Sequence, residues 1–368
     1  MDRRKFVKTA GLAGTAGLLA ACGQQGNAGD CPEGGRGGSA ETFEWKMVTT
    51  WPRDFPGLGT GASYLAQIIG EMSGGRLTVK VYGGGELVPA FEVFDAVQRG
   101  TVEMGHGAAY YWKGKIPASV FFTCVPFGLT GSEINGWLYH GGGMELYHEA
   151  YAPFGLIPWP IGNSGTQTGG WFNRESRGVE DLQGLKMRIP GLGGEVLKRV
   201  GGTPVAIPGS EVFTALQSGT VDAAEWVGPM NDLAQGLFRA ARYYYYPGWQ
   251  EPGSALEGLV NAEAYAELPP DLQAIVKYAC QAANQDMFAD FEARNGDALR
   301  ALVEDHGVEL REFPDDVLAE LKRVTLEILD EQAAADPLSA RVWASQKAFL
   351  EQVREWTLIG SQSLVQHR

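Results

Sequence analysis

The sequence predicts an α/β protein of two similar lobes with mixed sheets, a long connecting helix and further helices at the C-terminus. Three observations carry this. EVFDAVQRGTVE (Glu92–Glu103) returns 119 residues later as EVFTALQSGTVD (Glu211–Asp222), with Glu, Val, Phe, Ala, Gln, Gly, Thr and Val in register. A period this long is too large for a solenoid and fits a duplicated lobe. Each copy also follows a strand-like run ending in glycines, LTVKVYGGGE from Leu77 and LKMRIPGLGGE from Leu185. Beyond Pro270 the strand pattern gives way to amphipathic helix. Two lobes leave a cleft for a ligand. The segments after the two copies differ, MGHGAAYYW (Met104–Trp112) against AAEWVGP (Ala223–Pro229), so the two walls of that cleft are expected to be unlike.

Residues 1–21 read as an address. RRKFVK (Arg3–Lys8) looks like a twin-arginine export signal, followed by an apolar run too short and glycine-rich for a membrane span. Leu19-Ala20-Ala21-Cys22 resembles a lipoprotein cleavage box with Cys22 as the lipidated residue; ordinary cleavage near Ala21 is the alternative. Residues 22–42 are rich in Gly, Asn, Gln and Ser and read as a tether.

Residues 43–161 are expected to form lobe I. FEWKMVTTW (Phe43–Trp51) is its first strand, then a proline-glycine loop, a helix from about Ala62 to Met72, the strand Leu77–Tyr82 and a helix Phe91–Arg99. The apolar run Ala118–Leu129 belongs inside. Residues 162–248 are expected to form lobe II, with strands at Gly169–Arg174 and Ala241–Gly248. Residues 249–368 bring the chain back, then a long helix from Pro270 to about Val303. A second helix follows Phe313-Pro314-Asp315, with Val317, Leu321, Val324 and Ile328 on one face. A last one carries Val342, Phe349, Val353 and Trp356. Those stripes serve either packing on the lobes or a homodimer contact.

Composition narrows the function. The net charge of −14 argues against nucleic acid as a partner. An anionic ligand must be drawn by a local cation, since the overall field opposes it. The four cysteines have no CxxC spacing, and Cys124 and Cys280 read as two buried thiols rather than a disulfide. HExxH, GxSxG, Walker and clustered Cys/His patterns are missing, which weighs against an enzyme. Gly57-Leu58-Gly59-Thr60-Gly61-Ala62 fits the dinucleotide fingerprint GxGxxA, but Pro52–Pro56 separate it from its strand, so a dehydrogenase reading fails. These glycines are expected instead to bring a helix N-terminus with free N–H groups to the cleft.

Arg188 ends the otherwise apolar strand LKMRIP. A guanidinium there can grip a carboxylate through two parallel hydrogen bonds, or simply be solvated. Glu225-Trp226 follows the second repeat where a strand would end, Gln167 sits in the polar turn NSGTQTGGWF, and Glu251 lies in WQEPG. No spacing joins Gln167, Glu225 and Glu251. Oxygen ligands of this kind would suit Ca²⁺ or Na⁺ rather than zinc.

At these residues the chain resembles the solute-binding proteins of tripartite ATP-independent periplasmic (TRAP) transporters. The resemblance runs from about Phe43 to beyond Pro270. It is carried by GRLTVKVYGGGEL, VPFGL, LKMRIPGLGGEV, the two EVFxAxQxG units and Glu225-Trp226. TWPRDFPGLGTGA, AAYYWKGKIP, TQTGGWF, DAAEWVGPMND and YYYYPGWQEPG further resemble the branch binding 2-oxo or 2-hydroxy monocarboxylates, such as pyruvate and lactate, with a cation. The resemblance implies a two-lobed, periplasmic-binding-protein-like fold that closes on its ligand. It implies that Gln167 and Arg188 contact the ligand, with Tyr110 and Tyr111 on the opposite wall. Glu225, the carbonyl of Trp226, Glu251 and a shared Gln167 would surround the cation.

With both glutamates ionised, Arg188 and Ca²⁺ leave one positive charge for a monocarboxylate to neutralise, whereas Na⁺ leaves the closed site negative. Enclosed net charge is costly, which favours Ca²⁺ over Na⁺. The expected partners are the ligand and the TRAP membrane subunits. The alternative is a sensory, chemoreceptor-linked binding protein using the same cleft.

Overall fold

The computed structural model describes residues 41–368; the export signal, the tether, Cys22 and Cys31 lie outside the described residues. The first sheet contains β1 (Phe43–Thr49), β2 (Leu77–Tyr82), β3 (Met104–Gly107), β4 (Leu156–Asn163) and β10 (Ala255–Asn261), in the order β2-β1-β3-β10-β4. The second contains β5 (Gly170–Phe172), β6 (Lys186–Arg188), β7 (Thr203–Val205), β8 (Ala223–Ala224), β9 (Tyr243–Tyr246) and β11 (Glu309–Glu312), in the order β11-β9-β5-β8-β6-β7. Both sheets are mixed. β1 pairs parallel with β2 and β3, while β10 runs antiparallel between β3 and β4.

The duplication is real but falls differently from the expected alignment. In each lobe a central strand (β1, β6) leads to a helix (Leu58–Met72, Gly191–Arg199), an outer strand (β2, β7), the repeated EVF helix (Val93–Gln98, Val212–Gln217) and an inner strand (β3, β8). LKMRIPGLGGE therefore corresponds to β1 and its following loop, not to LTVKVYGGGE. The overlooked signal is Pro-Gly-Leu-Gly, at Pro56–Gly59 and again at Pro190–Gly193. Gly57 and Gly191 open the two helices with φ of 70° and 62°, a conformation that favours glycine.

The helix after β1 begins at Leu58 rather than Ala62, and the expected free N–H groups are not free. Leu58 donates to the Pro56 carbonyl, Gly59 and Thr60 to Phe55, and Gly61 to Gly57. The glycines serve close packing instead: a side chain at Gly61 would collide with Met287, and one at Gly57 with Phe291.

Met287 and Phe291 belong to the long helix Pro270–Glu304, which unites the lobes. Its first half buries Leu272, Val276, Ala279, Cys280 and Ala283 against Trp45, Met47, Leu65 and Ile161. Further on, Asn295 accepts from the Met230 backbone at 3.0 Å. Helix Asp315–Ala335 buries Val317, Leu321, Val324 and Ile328, and Arg199 ties it to the second lobe through Glu331. Helix Pro337–Thr357 straps the first lobe: Trp343 stacks on Phe121 at 6.2 Å and Gln346 donates to the Phe121 carbonyl. Its expected stripe divides, with Val342 buried and Trp356 70% exposed. Cys124 and Cys280 are buried free thiols.

Candidate functional site

Arg188 is the last residue of β6, and its neighbour across the ladder is Ala224 at the end of β8. Glu225 follows immediately, so the two side chains leave adjacent strand ends. The Glu225 N–H donates to the Arg188 carbonyl at 3.1 Å. Arg188 Nη1 returns to the Glu225 carbonyl at 3.0 Å and to its carboxylate, while Nε reaches the Ile207 carbonyl. Trp226 covers the guanidinium, with the Arg188 Cζ 5.3 Å from the ring centroid. The expected strand-end arginine is therefore buried, 1% exposed, and ion-paired. Lys186, two residues earlier, is exposed.

Three hydrogen bonds to backbone carbonyls stitch distant segments together here. Gln167 donates to the Glu251 carbonyl at 3.1 Å, Thr168 to Val227 at 3.1 Å, and the Gln250 side chain to Thr168 at 2.7 Å. The structure thus gathers Gln167, Arg188, Glu225, Trp226 and Glu251 from four stretches of chain, which no spacing in the sequence reveals. Two serines complete the cluster. Ser254 donates to Glu251 Oε2 at 2.6 Å, and Gln167 Nε2 donates to Ser164 and Ser254 at 3.0 and 3.3 Å. With its amide nitrogen so occupied, Gln167 turns its oxygen away from the serines.

Gln167 Oε1 and Glu225 Oε2 are buried acceptors without a partner. Unpaired buried oxygens are costly unless a ligand satisfies them. Amide and carboxylate oxygens are hard donors of the kind Ca²⁺ and Na⁺ take. The donor set contains only two carboxylates; among the described residues no group of three or more His, Cys, Asp or Glu comes together. The residues present fit a hard cation held partly by neutral oxygens.

Burial raises the Glu225 carboxyl well above its usual range; Arg188 pulls it down, and Glu251 pushes it further up. Burial likewise raises Glu251 to about 7 against the Ser254 hydroxyl, Arg188 and Tyr110. Burial is the largest influence on Arg188 and opposes its charge, but Glu225 together with Tyr111, Tyr110 and Glu251 outweighs it, and the pKa is raised.

The opposite wall is the turn Ala109–Trp112. Tyr110 and Tyr111 meet edge to face at 4.8 Å, and Phe91 backs Tyr111 at 4.9 Å. Tyr110 reaches across to the other lobe: a side chain at Gly191 would lie 3.1 Å from its ring. Burial raises both phenols. A cavity of about 280 Å³ opens beside them, lined by Phe91, Tyr110, Tyr111, Ile189, Pro190 and Gly191. At its rim Lys113 pairs with Glu195 across the two lobes.

Each wall rests on a buried carboxylate that the sequence reading missed. Asp232 accepts from Trp171 Nε1 (2.9 Å), Tyr244 OH (2.7 Å) and the Val227 N–H (3.3 Å) behind the Glu225–Val227 segment. Glu257 accepts from Trp112 Nε1 and from Tyr147 OH at 2.7 Å behind the tyrosine turn. A carboxylate in an apolar strand, as in SALEGLV, is the one signal that marks Glu257.

A two-lobed α/β scaffold with a buried guanidinium and orphaned oxygens in its cleft defines an organic-anion receptor. The family model for bacterial extracellular solute-binding proteins, family 7, matches residues 47–336. The chain is 42% identical to the monocarboxylate 2-oxoacid-binding periplasmic protein of Nostoc sp., covering 99% of this chain and 98% of the relative. A TRAP periplasmic solute-binding protein from Colwellia psychrerythraea, solved with bound calcium and pyruvate, superposes with a TM-score of 0.87 at 43% identity, over 89% of this chain and all of that one. A second, from Pseudoalteromonas atlantica with bound sodium and pyruvate, gives 0.86 at 44% identity over 89% and 99%. The chain belongs to this family and is a solute-binding protein of the TRAP type, a periplasmic class.

Proposed function

We propose that this protein captures a small 2-oxo or 2-hydroxy monocarboxylate of the pyruvate or lactate type with a bound cation, and delivers it to TRAP membrane subunits. The observation that carries the reading is the convergence of Arg188 with the partnerless oxygens of Gln167 and Glu225 in one enclosed cleft. Relatives of this size and similarity hold pyruvate with calcium or sodium. Arg188 would hold the carboxylate, with Gln167 beside it and Tyr110 and Tyr111 closing the far side. Glu225, the Trp226 carbonyl, Glu251 and Gln167 would hold the cation, whose chemistry is to neutralise the glutamates and draw the ligand's oxygens inward. Calcium suits two ionised glutamates better than sodium, by the cost of enclosed net charge.

The protein acts as a receptor rather than a catalyst. Export by the twin-arginine route and a lipid anchor at Cys22 complete the proposal, as do lobes at residues 43–161 and 162–248 with a returning C-terminal part. A homodimer would use the exposed Trp356, Ile359, Leu364 and Val365 of the C-terminal helices.

Titration of intrinsic tryptophan fluorescence with pyruvate, lactate and succinate tests the substrate class. Saturation by a monocarboxylate is expected. Response to succinate alone would overturn it.

A further inference from the structure

We propose that Glu257 is a positioning residue of the ligand site, fixing through Trp112 the turn that presents Tyr110 and Tyr111. Its place in the fold makes this role specific. Glu257 lies mid-strand in β10, opposite Gly107 of β3 on one side and Pro160 of β4 on the other. At 1% exposure it is surrounded by donors. Trp112 gives its indole N–H to Oε1, and Tyr147 gives its hydroxyl to Oε2. Trp112 immediately follows Tyr111 in the same short turn, and its ring lies 6.0 Å from that of Tyr111. The indole bond thus ties the turn to β10, beside the apolar contacts of Trp112 with Phe94 and Gly107 and the ion pairs Lys113–Glu195 and Lys115–Asp95 that follow the turn.

The titratable groups facing Glu257 are Tyr147 and Tyr151, from the helix Gly143–Tyr151, and His106 of β3. β4 contributes Pro160 and the turn contributes Trp112, neither of which titrates. His106 Nδ1 donates to the Glu257 carbonyl at 2.9 Å, and burial lowers its pKa to about 3, so it stays neutral. Burial raises the Glu257 carboxyl to about 7 against the pull of Tyr147, Trp112 and Tyr151. An ionised carboxylate accepts from every donor around it, whereas a protonated one brings an O–H of its own and must give up or weaken one bond. The tyrosine wall is therefore held most firmly above neutral pH and loosens as Glu257 takes a proton.

The inference rests on the tyrosines facing the ligand, so its test includes a readout that needs no ligand. In protein labelled at the indole nitrogens, the Trp112 resonance is assigned by its loss in Trp112→Phe. In the free protein it should shift with pH around neutrality, and that titration should vanish in Glu257→Gln. In calorimetry, Glu257→Gln should bind pyruvate about tenfold more weakly, the loss expected of one charge-assisted hydrogen bond. Trp112→Phe, which keeps an aromatic ring and removes the donor, should show the same loss, and it serves if Glu257→Gln does not fold. A Trp112 resonance indifferent to pH, or full pyruvate affinity in both variants with only a lower melting temperature, overturns the proposal. Failure of the unsubstituted protein to bind pyruvate speaks against the substrate reading alone, and the indole titration still decides the role of Glu257.

Discussion

Arg188 and Glu225 exchange three hydrogen bonds across adjacent strand ends: one from the Glu225 N–H and two from the Arg188 guanidinium. The proposed ligand-binding arginine and the proposed cation-binding glutamate are thereby one buried unit. Among the described residues no hydrogen bond involves Nη2, which leaves that nitrogen for a ligand carboxylate. A ligand and a cation entering together would reorganise this pair, with the cation taking over charge that Arg188 now neutralises.

Removing the guanidinium therefore does more than delete a clamp. Arg188→Ala should abolish monocarboxylate binding, and it should also lower stability by about 3–5 kcal/mol, because Glu225 is left buried and uncompensated. Arg188→Lys keeps the charge but not the fork and should weaken binding at least about tenfold with little unfolding. Calorimetry with thermal melts separates the two effects; near-normal affinity in Arg188→Lys would contradict the clamp.

Glu225→Gln should lower the cation content of the purified protein and weaken pyruvate binding with it. The amide cannot replace a charged ligand, and with its oxygen accepting from Arg188 its nitrogen would stand in place of the partnerless Oε2. Unchanged metal by elemental analysis would count against the assignment.

Cation uptake should be coupled to protons. Burial raises Glu251 to about 7, so near neutrality its carboxyl is partly protonated and a cation must displace that proton. Affinity should fall as pH drops below about 7. Calorimetry in buffers of different ionisation enthalpy should register proton release at pH 7; a heat independent of buffer would refute the coupling.

Gly209→Ala tests the Trp226 carbonyl indirectly. A side chain at Gly209 would run into the far edge of the Trp226 ring, whose backbone is proposed to face the cation. The ring must shift, and overpacking of this kind costs about 1–3 kcal/mol. Cation affinity should drop while the secondary structure by circular dichroism stays intact.

The sequence carries the fold unusually far because the chain says the same thing twice. The EVF units become matched helices after matched 3₁₀ turns, and Pro270–Glu304 follows from its proline start and unbroken helical pattern. The strand alignment goes astray because the glycine runs after Tyr82 and Ile189 look alike, whereas topology pairs β6 with β1. The free helix N-terminus fails because Pro52–Pro56 fold back and supply the acceptors. Within the site, Arg188 is legible as a charge ending an apolar strand. Ser164, Ser254 and Asp232 are not, and Glu257 shows only as a carboxylate in an apolar strand, its role set by Trp112, 145 residues away in sequence.

The central claim is that one cleft binds a monocarboxylate through a cation and Arg188 together. The most direct measurement is calorimetric titration of the folded protein with pyruvate, before and after removal of metal by a chelator and again after adding calcium back. Tight binding that disappears with the metal and returns with calcium is the predicted result. Pyruvate binding of equal strength in the chelated protein would contradict the cation bridge.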